Sequence, residues 1–189
     1  VSYLMLSCTT ADGSPAEIKI SASEELCLNL RGEGTVAGGT VAFRGGKAVK
    51  MGNTDQKPLW RSGDNVRIDW GYFYLAAKGD ADTSFIDGSD GMKYAVLKKT
   101  VKSGENALIM FAYDDTESIE YFGKRLRSVW NSKGKTIEKA LADAAEDWLK
   151  LDSLAVAFST RLRMEAEAAG GEKYADMLGQ LIKLNKNLE

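Results

Sequence analysis

The sequence predicts a mainly β fold with C-terminal helices, an antiparallel β-sandwich followed by about three α-helices. Residues 1–115 hold short runs rich in β-branched and aromatic residues, punctuated by glycine-rich turns. Beyond residue 116 the apolar positions shift to intervals of three and four. No helical pattern falls between the strand-like runs, so no crossover is available for a parallel sheet. These observations divide the chain into a β domain over residues 1–115 and a helical linker over 116–189.

Each element has a local reason. Residues 1–8 are apolar, Ala11-Asp12-Gly13-Ser14-Pro15 is turn chemistry, and residues 17–22 alternate with period two, which predicts a hairpin with one wet face. Leu26, Leu28 and Leu30 continue the alternation, and Val41-Ala42-Phe43 and Ala48-Val49-Lys50-Met51 flank Arg44-Gly45-Gly46-Lys47, which predicts a second hairpin. Residues 65–77 read as one long strand, with Ile68, Trp70, Tyr72 and Tyr74 on one face and Asp69, Gly71, Phe73 and Leu75 on the other. Residues 94–101 and 107–113 supply two more strands around Ser103-Gly104-Glu105-Asn106, for roughly seven strands in all.

The helical half begins at Ser118, where Ile119, Phe122, Leu126 and Trp130 stand at helical spacing up to a break at Asn131-Ser132-Lys133-Gly134-Lys135. A long second helix follows, with Ile137, Leu141, Ala144, Trp148, Leu151, Leu154, Phe158 and Leu162 on one stripe and a stop at Ala169-Gly170-Gly171. A third helix carries Tyr174, Leu178, Leu181 and Ile182 on its apolar face. An apolar face on a terminal helix needs a partner, either the β domain or a further helical domain.

Composition narrows the chemistry. The 189 residues are 44% hydrophobic, enough to bury a core without staples. Twenty-five basic residues against 27 acidic ones leave a net charge of -2, so no global basic field collects phosphates and no nucleic-acid partner is expected. No run of eighteen apolar residues is present, so no membrane insertion is expected. With no histidine, Ser-His-Asp and Cys-His machinery and His-ligated zinc are excluded within this sequence. The two cysteines, Cys8 and Cys27, are too few for a disulfide framework; they pair only if their strands are neighbours, and otherwise serve as buried thiols. The chain opens on Val1 without a signal-type stretch, so it is expected to begin inside a protein, and Leu188-Glu189 reads as a cloning scar.

Several residues are candidates for function. Asp114, Asp115, Glu117 and Glu120 are the densest acidic cluster; such carboxylates serve as an acid/base pair, bind a hard cation, or cap the first turn of a following helix. The capping role is the expected one. Asp69 lies between apolar neighbours, where a charge needs a partner, with Arg67, Arg61 and Arg44 as candidates; a structural ion pair is expected over catalysis. Trp60, Trp70, Tyr72 and Tyr74 fit an aromatic platform for sugar rings or, alternatively, a core or interdomain seam. Asp87-Gly88-Ser89-Asp90-Gly91 lacks the ligand alternation and terminal glutamate of a calcium loop and reads as a turn. Lys124, Arg125 and Arg127 read as a solvated helix side, and no pattern calls for a metal or cofactor.

Four blocks carry a family resemblance. They are Met51-Gly52-Asn53-Thr54-Asp55-Gln56-Lys57-Pro58-Leu59; residues 62–77 around Arg67-Ile68-Asp69-Trp70-Gly71-Tyr72-Phe73-Tyr74; Ala112-Tyr113-Asp114-Asp115 through Ser118-Ile119-Glu120-Tyr121-Phe122-Gly123; and Arg161-Leu162 with residues 165–175. In this order they resemble the glutaminase A-like family of large secreted or envelope-associated proteins, in which a β-sandwich precedes a helical catalytic domain. Thr116-Glu117 departs from the hydrophobic-aromatic pair usual there, and the stretch after Leu178 departs from the helix expected to lead into the catalytic barrel.

The resemblance implies that the parent hydrolyses glutamine to glutamate and ammonia and is secreted, periplasmic or held at the cell envelope. It implies that this chain is a noncatalytic scaffold whose partner is the helical catalytic domain of the same polypeptide. No catalytic residue of the family maps onto this chain. Asp69, Trp70, Tyr72, Tyr74, Asp114, Asp115 and Glu120 are expected as interface or structural residues. The alternatives are a carbohydrate-binding module using the aromatic strand, and an autonomous carboxylate enzyme built on Asp114, Asp115 and Glu120.

Overall fold

The computed structural model describes residues 1–185, with side chains to residue 180. The apolar roles expected of Leu181 and Ile182 and the terminal Leu188-Glu189 lie outside the described residues. Ten strands precede one helical run: β1 Ser2–Ser7, β2 Ala16–Ser23, β3 Val36–Phe43, β4 Gly46–Asn53, β5 Tyr72–Lys78, β6 Asp82–Asp87, β7 Lys93–Val101, β8 Asn106–Asp114, β9 Ile119–Tyr121, β10 Lys124–Leu126 and α1 Ile137–Asn185. All strand pairs are antiparallel. They form a five-stranded sheet in the order β1-β8-β5-β4-β3, a three-stranded sheet β2-β7-β6, and a separate β9-β10 ribbon.

The hairpin expected from β1 and β2 does not form. β1 pairs with β8, Ser2 opposite Phe111, whereas β2 pairs with β7, Ala16 opposite Val101. Alternation fixes which face a strand buries but not which strand it lies against. The two loops that change sheets, after β1 and after β7, are stitched together: Gly104 N–H donates to Cys8 O at 2.8 Å and Thr10 N–H to Ser103 Oγ at 3.1 Å. By contrast the β3-β4 hairpin forms as expected around Arg44-Gly45, with Phe43 opposite Gly46.

Other expectations are corrected. Leu26 and Leu28 do not continue a strand: Glu24–Cys27 is a 3-10 turn that sinks Cys27 and Leu28 into the core while Leu26 and Leu30 stay exposed. The long strand over residues 65–77 is strand only from Tyr72, because Gly71 turns the chain at φ 81°. From there β5 lies at the centre of its sheet and is buried on both faces, so the expected one-sided alternation is absent. β6, which the reading of the sequence missed, is largely polar and half-exposed.

The helix expected over residues 118–130 is the β9-β10 ribbon. Phe122 and Gly123, at φ 47° and 73°, form a two-residue turn of the type that matches strand twist, and Ile119 stands directly opposite Leu126. A spacing of seven residues that looked helical is a cross-strand pair.

One helical run therefore replaces the three expected helices. Its stop at glycine is present as a reversal: Gly171, at φ 76° and ψ 179°, leaves the helical region. In a straight helix residues 163 and 176 would stand about 20 Å apart, yet Arg163 Nη1 donates to Asp176 Oδ1 at 3.0 Å. The arm after Gly171 thus folds back, burying Ala166 and Ala175.

The chain divides into two units, Val1–Glu146 and a second from Asp147 onward. In the first unit one buried cluster joins Val36, Val49, Met51, Leu75 and Ile109 of the large sheet to Ala95 and Leu97 of the small one, with Cys27 beneath. The first turns of α1 belong to this unit: Leu141, Ala142 and Ala145 are buried, Tyr3 Oη donates to Ala144 O at 3.3 Å, and Arg44 pairs with Glu146 at 2.7 Å. Leu75 sits fully enclosed in the shared cluster. Leu75→Ala should cost about 2–5 kcal/mol, measured by urea unfolding.

Candidate functional site

The candidate residues gather where the irregular segment before β5 meets the end of β8. Asn29 Oδ1 accepts the Arg67 N–H at 3.0 Å, fixing the segment's start. Asp69 is buried, and its partner is Arg61 rather than Arg67 or Arg44: Arg61 Nε lies 4.0 Å from Oδ2 while Trp60 Nε1 donates to Oδ1 at 3.0 Å. The Arg61 guanidinium also covers the Trp60 ring at 4.0 Å from its centroid. The shorter, directed indole bond is the firmer tie on Asp69.

Gln56 clamps the turn that follows. Its Oε1 accepts the Gly71 N–H at 2.6 Å, and its Nε2 donates to the carbonyls of Asn53 at 2.5 Å and Gly71 at 3.2 Å. A side chain at Gly71 would meet the Asp114 carbonyl at 2.3 Å, so β5 and β8 approach as closely as they do only because this residue is glycine. Tyr72 stands opposite Asp114, and Tyr113 Oη donates to the Trp70 carbonyl at 2.7 Å. Burial, and then the charges of Cys27, Asp69 and Asp115, hold the Tyr113 hydroxyl well above the ordinary phenol range. Tyr113 is thus the point at which Asp69, Trp70 and Asp115 converge.

The acidic cluster does not cap a helix, since a ribbon follows it. Asp114 Oδ1 accepts the Thr116 N–H at 3.0 Å, and Asp115 Oδ1 accepts both Ser118 Oγ at 2.9 Å and Ser128 Oγ at 3.1 Å. Asp115 therefore ties together the two feet of the ribbon. Glu120 lies apart on the ribbon, where it and Glu117 each contact Arg125 at 3.4 Å. Among the described residues no group of three or more histidine, cysteine, aspartate or glutamate side chains is placed to hold a metal.

The aromatic residues divide between core and surface. Trp70 and Tyr74 are only 6% and 2% exposed, so neither presents a ring face for stacking. Trp60 is 47% exposed but shares its ring with Arg61 and Lys57, and Lys50 Nζ sits 3.5 Å above the Tyr72 ring. The Trp70 indole N–H is buried without a hydrogen-bond partner. Asp90 serves its own turn, accepting from Met92 N–H and Tyr94 Oη.

No family model, curated protein or solved structure matches the chain. The site must therefore be read from its own chemistry. Each carboxylate at the joint is engaged by a backbone N–H, a hydroxyl, an indole or a guanidinium, an arrangement that holds loops in place. Sequence reasoning missed Gln56, Asn29 and Tyr113, polar groups whose partners are main-chain atoms far along the chain.

Two predictions follow from this geometry. Asp69→Ala strands the Trp60 N–H and should cost about 1–3 kcal/mol, whereas Asp69→Asn keeps an acceptor and should cost under about 1 kcal/mol, both read by denaturant unfolding. Burial pushes the Cys27 thiol from its ordinary 9.0 up to about 11 and raises Tyr74 and Tyr113 in the same sense. The folded state holds these protons more tightly than the unfolded chain, so the Cys27 contribution is full below pH 9 and lost as pH rises through about 11, and that of the two tyrosines is lost at higher pH. A pH series of unfolding free energies should fall over that window, and Cys27→Ala should flatten its lower part.

Proposed function

We propose that the chain is the noncatalytic β-rich region and helical linker of a glutaminase A-like protein, secreted or held at the cell envelope, whose whole polypeptide hydrolyses L-glutamine to glutamate and ammonia. In this reading the two sheets stack as a sandwich, which the shared buried cluster supports, and the chain supports and orients the helical catalytic domain of the same polypeptide.

The observation that carries the reading is the surface of α1. Leu149, Leu151, Leu154, Val156, Phe158 and Met164 are all exposed. At about 100° per residue they spread over about 220° of the helix surface, wider than the single stripe expected from the sequence. An exposed apolar face of that breadth marks an interaction surface. Among the described residues no helix is long and apolar enough to cross a membrane, and in this reading the helices of the catalytic domain supply the cover.

The joint at Asp69, Gly71 and Asp114 fits the same role, because its polar groups are spent on positioning the chain. Trp70 and Tyr74, buried, weigh against the sugar-binding alternative, and the separation of Glu120 from Asp114 and Asp115 by its own pairing with Arg125 weighs against a carboxylate enzyme.

An assay of ammonia release from glutamine tests the reading. The native polypeptide that contains this chain should hydrolyse glutamine, and the 189-residue chain alone should not. Turnover by the chain alone, or none by the native polypeptide, would contradict it.

A further inference from the structure

The β9-β10 ribbon has a two-faced construction. Glu120 and Arg125 oppose each other on one face, with Arg125 also reaching Glu117. The other face pairs Ile119 with Leu126 and Tyr121 with Lys124, and its apolar members are exposed. At the tip Phe122 is 89% exposed and packs edge-on against the Tyr121 ring with centroids 4.5 Å apart.

Phe122 is also costly where it stands. Its φ of 47° is in the left-handed region, which glycine, asparagine and aspartate enter readily and a large side chain does not. A bare aromatic held in that conformation at a turn apex serves neither the turn nor the core. An isolated two-stranded ribbon is moreover only marginally stable, so its apolar face calls for cover.

The charges select the cover. Residues 117–135 carry five basic side chains against two acidic ones in a chain whose net charge is -2. Both acids are taken by Arg125, and Lys135 pairs with Asp143. Lys124, Arg127 and Lys133 make no ion pair among the described residues, so the matching surface is apolar with an acidic rim. A second copy of this chain fits poorly, because a twofold contact would set Lys124 and Arg127 against themselves.

We infer that the ribbon is a docking finger whose Phe122 and Tyr121 enter an apolar, acid-rimmed pocket on the helical domain of the same polypeptide. This rests on the functional reading above. On that reading the domain that encloses α1 is joined to the ribbon through the same chain, and tethering makes a modest contact persistent. The finger and α1 would then hold that domain at two separate points.

Hydrogen exchange on the native polypeptide and on this chain tests the inference. Amides of residues 119–126 should exchange at least about tenfold more slowly in the native polypeptide, the equivalent of about 1.4 kcal/mol of contact. Phe122→Asn should abolish that difference without lowering the melting temperature of the β unit, because asparagine tolerates the left-handed turn. Equal exchange in the two proteins, or protection that survives Phe122→Asn, overturns the inference. Protection that appears only with phosphatidylglycerol vesicles also overturns it and makes the finger a lipid contact. A native polypeptide without a helical domain overturns the functional reading itself, whereas a helical domain that leaves the ribbon unprotected overturns the finger alone.

Discussion

The backbone approach of Gly71 to the Asp114 carbonyl leaves no room for a side chain, and the pairing of β5 with β8 depends on it. At φ 81° Gly71 ends the irregular segment and starts β5 in one step. Any Cβ there would stand 2.3 Å from the carbonyl of β8's last residue. Because that space is empty, β5 and β8 pair down their length from Tyr72 and Asp114, at the centre of the five-stranded sheet. Gln56 holds the turn from outside, Tyr113 from beneath, and Asp69 anchors the segment that feeds it.

The same contact links scaffold to function. Asp114 closes β8, and the next residue, Asp115, grips both feet of the ribbon through Ser118 and Ser128. The chain then runs through a short turn into α1, whose first turns are tied to the β unit by Tyr3 and Arg44. A displacement of β5 against β8 would thus be felt at the ribbon's base. The polar residues that first suggest catalysis are the ones that tie this path together.

Much of the β content was legible in the sequence, and the reasons for the failures are physical. The β3-β4 turn was read correctly because Arg44-Gly45 sets its register locally. β1 and β2 were not, because period-two alternation records burial and is silent about partners; their exchange of sheets is decided by the distant β7-β8 loop. The ribbon was misread because Ile119, Phe122 and Leu126 satisfy a helical spacing and a tight hairpin alike, and the deciding fact is a positive φ at Phe122, which sequence rarely reveals for a phenylalanine. Gly171 was legible as a stop but not as a reversal, since the bond from Arg163 to Asp176 spans thirteen residues. At the joint, the apolar neighbours of Asp69 signal that it needs a partner, and Arg61, one of three nearby arginines in the sequence, supplies it. Gln56 was invisible, because nothing in its neighbours says that it clamps a glycine fifteen residues away.

The joint is a structural constraint set by backbone approach. Equilibrium urea unfolding of Gly71→Ala tests it most directly. The account predicts a loss of at least about 2 kcal/mol, from left-handed strain together with the clash at Asp114. A variant as stable as the parent chain would show that β5 and β8 can separate at no cost, and would contradict the account.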